Sequence, residues 1–406
     1  MALANKAFND LNEQDLLDLI TLGVPESRSI EYKLQIPGNS DGEKKEFLAD
    51  ISSFANSSGG FLVYGVDESQ GLPTSLPGIA GIDTDREILR LESIIQSGLA
   101  PRIPGLFIRS ILLSNGAAAI LIKVAKSWAS PHMVTLGGTS RFYSRNSAGK
   151  YQLDVYEIRS AVLATEALSN RIKDFCLDRV NKVIVGDTPV PLPDGAKVIL
   201  HLIPINYFLS SHPINLAFAE ENYYRLSNLS SPNYSSPSSF RINIDGIVTF
   251  MVSRDESNLS YTQLFRDGSI EAVSHFLLSK ERDGQCLIPS IYFEQAIMDN
   301  CSRLLGFQRA SGIEPPVVIF LTLAGVKGYQ MGVSQGVLFQ MMPRIANRII
   351  DREIIQSPDV LIENYEGVDL PALLRPIFDS VWNAAGWVGS INYDERGNWS
   401  DKRQRG

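Results

Sequence analysis

Cysteine is scarce in this chain: Cys176, Cys286 and Cys301 are the only three in 406 residues. An odd number spread so widely gives neither a disulfide framework nor a CxxC zinc pair, and a reducing compartment, the cytoplasm, is the expected location. Long apolar runs are also lacking, since no stretch approaches the roughly 18 uninterrupted apolar residues of a membrane crossing. The segment Met1–Ile20 carries acids and an amphipathic pattern in place of a basic start and an apolar run, so no signal peptide is expected. A G-x-x-x-x-G-K-[ST] phosphate loop is missing. Leu323–Ser334 has glycines and a lysine at the wrong spacing, so no ATP site is expected. The G-x-S-x-G elbow of serine hydrolases is absent too.

The most informative absence is local. Net charge is −8, which argues against a surface coated throughout by nucleic acid. Yet residues 101–150 contain no Asp or Glu, although the whole chain holds 45. Arg102, Arg109, Lys123, Lys126, Arg141, Arg145 and Lys150 all fall in that window. Chance rarely leaves such a gap, and the window is expected to present an anion-facing surface.

The hydrophobic pattern predicts an α+β protein with two domains. Asn12 caps a helix over Glu13–Thr21, and Ser29–Gln35 alternates as a short strand. A helix over Lys44–Ser57 is stopped by Gly59–Gly60, and Phe61–Val66 reads as a buried strand. Asp67–Gly78 reads as loop and Asp85–Gly98 as helix. Strands over Leu106–Leu113, Ala117–Val124 and Arg141–Ser144 follow, with a long helix over Asp154–Arg179. This arrangement gives a first domain over residues 1–180 with a mixed, curved sheet. Prolines in Val180–Pro193 mark a boundary. A second α/β-type domain over 190–392 follows, then a polar tail over 393–406. In the second domain, Phe240–Val252 and Ser260–Phe265 read as strands and Ser269–Ser279 as a helix. Its landmarks His201, His212, His275 and Trp382 are scattered and read as structural, and its role is open between sensing, dimerising and partner binding.

Three acids sit where strands begin or end: Glu26 and Glu31 around the first strand, and Asp67 after Phe61–Val66. Carboxylates so placed can converge on a hard divalent cation, which in turn activates water against a phosphodiester. The spacing alone is weak, because most acids flanking strands are merely solvated.

The surrounding words are more specific. Glu26-Ser-Arg-Ser-Ile-Glu31-Tyr-Lys33 resembles the E-x-x-x-x-E-[FY]-K opening of the Schlafen AlbA_2 domain family. The run from Asp50 through Asn56, Gly59, Gly60, Gly65 and Val66 to Asp67 resembles its D-I-x-A-F-A-N-x-x-G-G-x-L-x-x-G-V-D block. Arg141-Phe-Tyr-Ser-Arg145-Asn-Ser falls where that family carries F-Y-x-R-x-x-S. Three blocks in order place the resemblance over about residues 11–165. It implies a nucleic-acid-handling domain, and by analogy with Schlafen nucleases a metal-dependent endoribonuclease acting on structured RNA such as tRNA, with phage defence as the implied role. Glu26, Glu31 and Asp67 would then be the catalytic acids and would hold Mg²⁺ or Mn²⁺. Lys33, Arg102, Arg109, Lys123, Lys126, Arg141, Arg145 and Lys150 would grip RNA or DNA. Schlafen cores clasp RNA between two related lobes and carry a Cys/His zinc motif; this chain shows one lobe and no such spacing, so a homodimer is the expected form. The alternative is a DNA-binding regulator that uses the same surface without cutting. His132, in Ser130–Pro131–His132, reads as a hydrogen-bonded loop residue.

Overall fold

The computed structural model describes residues 3, 6, 8–147, 149–208, 213–230, 237–253, 257–278, 281–282, 285–333, 348–394 and 396–400. His212 lies outside them. Two compact units are present, Met1–Asn170 and Arg171–Gly406.

In the first unit, helix α1 (Glu13–Thr21) begins at Asn12, whose side chain accepts from the N–H groups of Gln14 and Asp15. Strand β1 (Ile30–Lys33) leads to α2 (Asp41–Ala55), which opens on a reciprocal Ser40–Glu43 cap. β2 (Gly60–Tyr64) pairs parallel with β1 and antiparallel with β7 (Ala118–Val124), and β7 pairs with β6 (Leu106–Leu112). The order β1-β2-β7-β6 leaves β2 and β7 central. Their side chains alternate accordingly. Phe61, Val63, Ala119 and Leu121 join Leu16 and Leu19 of α1 on one face. On the other, Leu62, Tyr64, Ile120 and Ile122 pack with α2 and with α3 (Thr84–Gly98).

The segment expected as loop after β2 instead folds into a hairpin of β3 (Asp67–Ser69) and β4 (Leu72–Ser75), turned at Gln70–Gly71. A second sheet runs β10-β9-β8-β5, from β5 (Leu99–Ala100), β8 (Met133–Val134), β9 (Arg141–Asn146) and β10 (Gly149–Gln152).

Gly59 has a mechanical role. Its φ is +73°, and a Cβ there would lie 2.7 Å from both the Lys126 nitrogen and the Val124 oxygen. Asn56 stitches the next layer: its Nδ2 donates to the carbonyls of His132 (2.9 Å) and Tyr143 (2.8 Å), and its Oδ1 accepts from the His132 N–H (2.7 Å). Asn56→Ala would leave these backbone groups without partners, and we expect a loss of about 2–3 kcal/mol, read by urea unfolding. His132 is fully buried with Nδ1 2.8 Å from the Pro101 oxygen, and burial pushes its pKa down, which keeps the imidazole neutral.

Helix α4 (Val155–Ile184) runs past the expected boundary, because Val180 and Val183 belong to the core of the second unit together with Val190, Ile199 and Val273. That unit is built on an antiparallel sheet ordered Ser239–Asn243, Gly246–Val252, Asn258–Phe265, Ile270–Ser274, Lys197–Pro204, Val317–Ala324, Ile354–Gln356. The run expected as one strand over Phe240–Val252 is a hairpin turned at Ile244–Asp245. The helix expected over Ser269–Ser279 is a strand followed by a short 3₁₀ turn, with Ile270–Ser274 fully enclosed between two neighbours. Two buried carboxylates organise this unit. Glu271 takes both arms of Arg179 (2.9 and 2.8 Å), the Tyr261 hydroxyl (2.9 Å) and His201 Nε2 (3.2 Å). Glu294 accepts from the indole N–H groups of Trp382 and Trp399, each at 2.7 Å. His201 and Trp382 are therefore structural fixtures, and Trp399 pins part of the stretch expected as a polar tail.

Candidate functional site

Strand alternation sets up the charged centre of the first unit. Ile30 and Tyr32 belong to the α1-side core, which places Glu31 and Lys33 on the opposite face of β1, toward α2. There α2 presents Asp50, on the same side as the apolar Phe47 and Phe54, and only 2% exposed. The third contributor is the β9–β10 hairpin, where Arg145 and Lys150 stand directly opposite each other.

Two cations at one cross-strand position repel unless a counter-charge is shared between them. Asp50 supplies it: Lys150 Nζ lies 2.8 Å and Arg145 Nη1 3.9 Å from its Oδ1. Arg145 Nη2 also donates to Glu31 Oε2, and Lys33 Nζ is 2.7 Å from Glu31 Oε1. Lys150 makes a second ion pair with Glu46. The guanidinium carbon of Arg145 stacks 4.2 Å from the Phe54 ring centroid.

The two central acids are tuned in opposite directions. Burial would raise Glu31, but Arg145 and Lys33 outweigh it and hold the carboxyl below its ordinary range. Burial pushes Asp50 up to about 6, Lys150 offsets this only in part, and the nearby Glu31 charge adds to it. Between its ordinary value of 3.8 and about 6, the folded Asp50 keeps a proton that the unfolded chain has released. This group therefore lowers folding stability as pH rises through that window. Asp50→Asn copies the protonated form. We expect the stability of the variant to vary less between pH 4 and pH 7 than that of wild type, read by urea unfolding across pH.

The other expected site residues separate into distinct groups. Glu26 sits just before β1 with Oε1 accepting the Tyr32 N–H at 2.9 Å, and its own N–H donates to Gly71 in the β3–β4 turn. Its pKa is raised, by burial first and then by the charge of Glu31. Asp67 opens β3 and is exposed. Among the cations, Arg145 and Lys150 are engaged by Glu31 and Asp50 and do not face an external anion. Arg109 is turned inward, donating from Nη1 to the carbonyls of Phe8 (2.8 Å) and Asn9. Lys123 lies 6.0 Å from the Phe61 ring centroid. Arg102, Lys126 and Arg141 are exposed and carry no ion pair among the described residues.

Magnesium and manganese need several hard oxygens free to turn toward one point. Here both Glu31 oxygens face cations and one Glu26 oxygen is held by backbone. Among the described residues, no three His, Cys, Asp or Glu side chains converge as a cation cradle. In this arrangement Glu26, Glu31 and Asp67 do not fit a metal centre, because Arg145 and Lys33 already neutralise the acid between the other two. Asp50 is the residue that the strand-end logic passes over. Its signal was available, since an aspartate on the apolar side of an amphipathic helix must be paired or protonated.

Residues 26–154 match the family model described as Schlafen, AlbA_2. No curated protein matches. A solved structure, the DIP2311 protein from Corynebacterium diphtheriae, aligns at 17% identity and a TM-score of 0.23 over 34% of this chain and 26% of that one. The chain thus spans about a quarter of that protein. The family match agrees with the three motif blocks and supports a nucleic-acid-related function. Over residues 26–154, the chain carries a Schlafen AlbA_2 domain.

Proposed function

We propose that this domain binds a nucleic-acid phosphate backbone through Arg102, Lys126 and Arg141, while the Glu31–Arg145–Asp50–Lys150 network locks the β9–β10 hairpin onto α2 and β1. One observation carries the proposal. Within a window free of acids, Arg145 and Lys150 are matched by Glu31 and Asp50, Arg109 is held by backbone carbonyls, and the three exposed cations are left without an ion pair among the described residues. Arg141 pairs across β9–β8 with Val134, and Val134 pairs with Leu99, three residues before Arg102. Arg141 lies in this small sheet and Arg102 follows one of its strands, and a guanidinium group suits forked contacts to phosphate oxygens.

Cleavage of structured RNA, such as transfer RNA, by metal on Glu26, Glu31 and Asp67 would require Glu31 to leave Arg145 and Lys33. Binding without cutting needs no such rearrangement. The test uses the full chain with transfer RNA and with duplex DNA in a mobility shift, followed by recovery of the RNA after incubation in Mn²⁺. We expect complexes with wild type and with Glu26→Gln/Asp67→Asn alike, and full-length RNA. Discrete RNA fragments that vanish in EDTA and in the variant would replace binding with catalysis.

A further inference from the structure

The central sheet of the first unit treats its two edges differently. On the β1 edge the Glu26 side chain takes the outward N–H of Tyr32 at 2.9 Å, which partly closes that edge. The β6 edge has no such guard. Leu113 N–H donates to the Ala117 carbonyl at 2.9 Å, and Ala125 N–H donates to the Gly105 carbonyl at 3.1 Å. These bonds bracket the β6–β7 ladder, and antiparallel bonding alternates along a strand, so the odd-numbered residues of β6 bond to β7. The N–H and C=O groups of Leu106, Ile108, Ser110 and Leu112 therefore point outward. No hydrogen bond reaches them among the described residues.

An open row of backbone groups pairs readily with another strand, and proteins usually block it with lysine, proline or a bulge. None of these interrupts β6, whose seven residues Leu-Phe-Ile-Arg-Ser-Ile-Leu keep an unbroken register with β7. Leu112, at its end, is 77% exposed. The strand's one charge, Arg109, is already held by the carbonyls of Phe8 and Asn9, so pairing along the edge strands no unmatched cation.

The strand itself identifies what fits beside it. Apolar residues flank a polar centre of Arg109 and Ser110, so the pattern is nearly the same read in either direction. Such a strand complements an antiparallel copy of itself, as a two-fold interface requires. Arg109 selects the register. A two-fold axis at Arg109 would set two cations directly opposite each other. With the axis one residue on, at Ser110, the outward groups of Ile108 and Leu112 meet those of the partner's Leu112 and the partner's Ile108. The exposed Leu112 is then covered by an apolar neighbour.

We propose that β6 is the seam of a homodimer, in which two copies of this chain join antiparallel, edge to edge, about Ser110. The β1-β2-β7-β6 sheet then continues into that of the second copy. The proposal rests on the first unit alone and does not depend on the nucleic-acid reading.

The full chain is tested by sedimentation equilibrium at micromolar concentration. We expect a species of twice the 44.8 kDa chain mass. Leu112→Lys puts a charge on the edge at an exposed position, and should weaken the dimer by at least about tenfold with folding unchanged. Leu89→Lys, at a leucine 66% exposed on α3, should leave the dimer intact. Ser110→Cys should give a disulfide-linked dimer on mild oxidation where wild type gives none, since residues so paired lie about 5.5 Å apart, within disulfide reach. A monomeric wild type, undiminished dimerisation of folded Leu112→Lys, equal loss in Leu89→Lys, or no cross-link in Ser110→Cys would each overturn the assignment.

Discussion

Arg145→Met should destabilise the protein by about 3–5 kcal/mol at pH 7, the usual loss when one member of a buried charge network is removed. Arg145 is 3% exposed, pairs with Glu31, approaches Asp50 at 3.9 Å and lies against Phe54. Methionine preserves the packing volume over Phe54, so the loss reports the charge. With the guanidinium gone, Glu31 retains Lys33 and Asp50 retains Lys150, each acid losing one of its cations in a site with little water. The deficit should shrink toward pH 4. There the Asp50 carboxyl, which titrates near 6 in the folded state, is already neutral and requires no cation. Urea unfolding at both pH values checks this. A deficit under about 1 kcal/mol, or one that does not change with pH, would mean that the network is not what holds the hairpin.

The second large effect concerns binding. Replacing Arg102, Lys126 and Arg141 together by alanine should weaken nucleic-acid binding by roughly 10²–10³-fold at 0.1 M salt, on the estimate that each phosphate contact contributes about 0.9 to the slope of log K against log salt. Fold stability should be unaffected within about 0.5 kcal/mol, since the three side chains are exposed and make no ion pair among the described residues. Arg109→Ala provides the contrast. This residue ties Phe8 and Asn9 to β6, so its loss should act on stability, with little effect on affinity.

The first unit was readable from its sequence because its signals are local and concordant. The Asn12 cap, the helix with Phe47, Leu48, Ile51 and Phe54, and the Gly59–Gly60 stop each rest on neighbours within a turn or two. The partners of the charged residues were not readable, because they are set by register. Lys150 stands opposite Arg145 only through the β9–β10 turn, and Asp50 reaches both from a helix about a hundred residues earlier. Seven basic residues in one acid-free window looked alike, yet Arg145 and Lys150 answer acids outside the window, at positions 31, 46 and 50. Arg109 answers backbone carbonyls that carry no sequence signal. In the second unit, Ser269–Ser279 has helical spacing of apolar residues, but pairing on both edges fixes Ile270–Ser274 as a central strand. Tertiary pairing overrides local preference there.

The most direct test of the central claim is the salt dependence of binding, with the full chain titrated against transfer RNA and duplex DNA from 50 to 200 mM salt. Log K is expected to fall linearly with log salt for wild type. The Arg102→Ala/Lys126→Ala/Arg141→Ala variant should show a slope shallower by two to three units, and Arg109→Ala an unchanged slope. Equal slopes for wild type and the triple variant, or no binding at the lowest salt, would contradict the claim that these three exposed cations form the nucleic-acid surface.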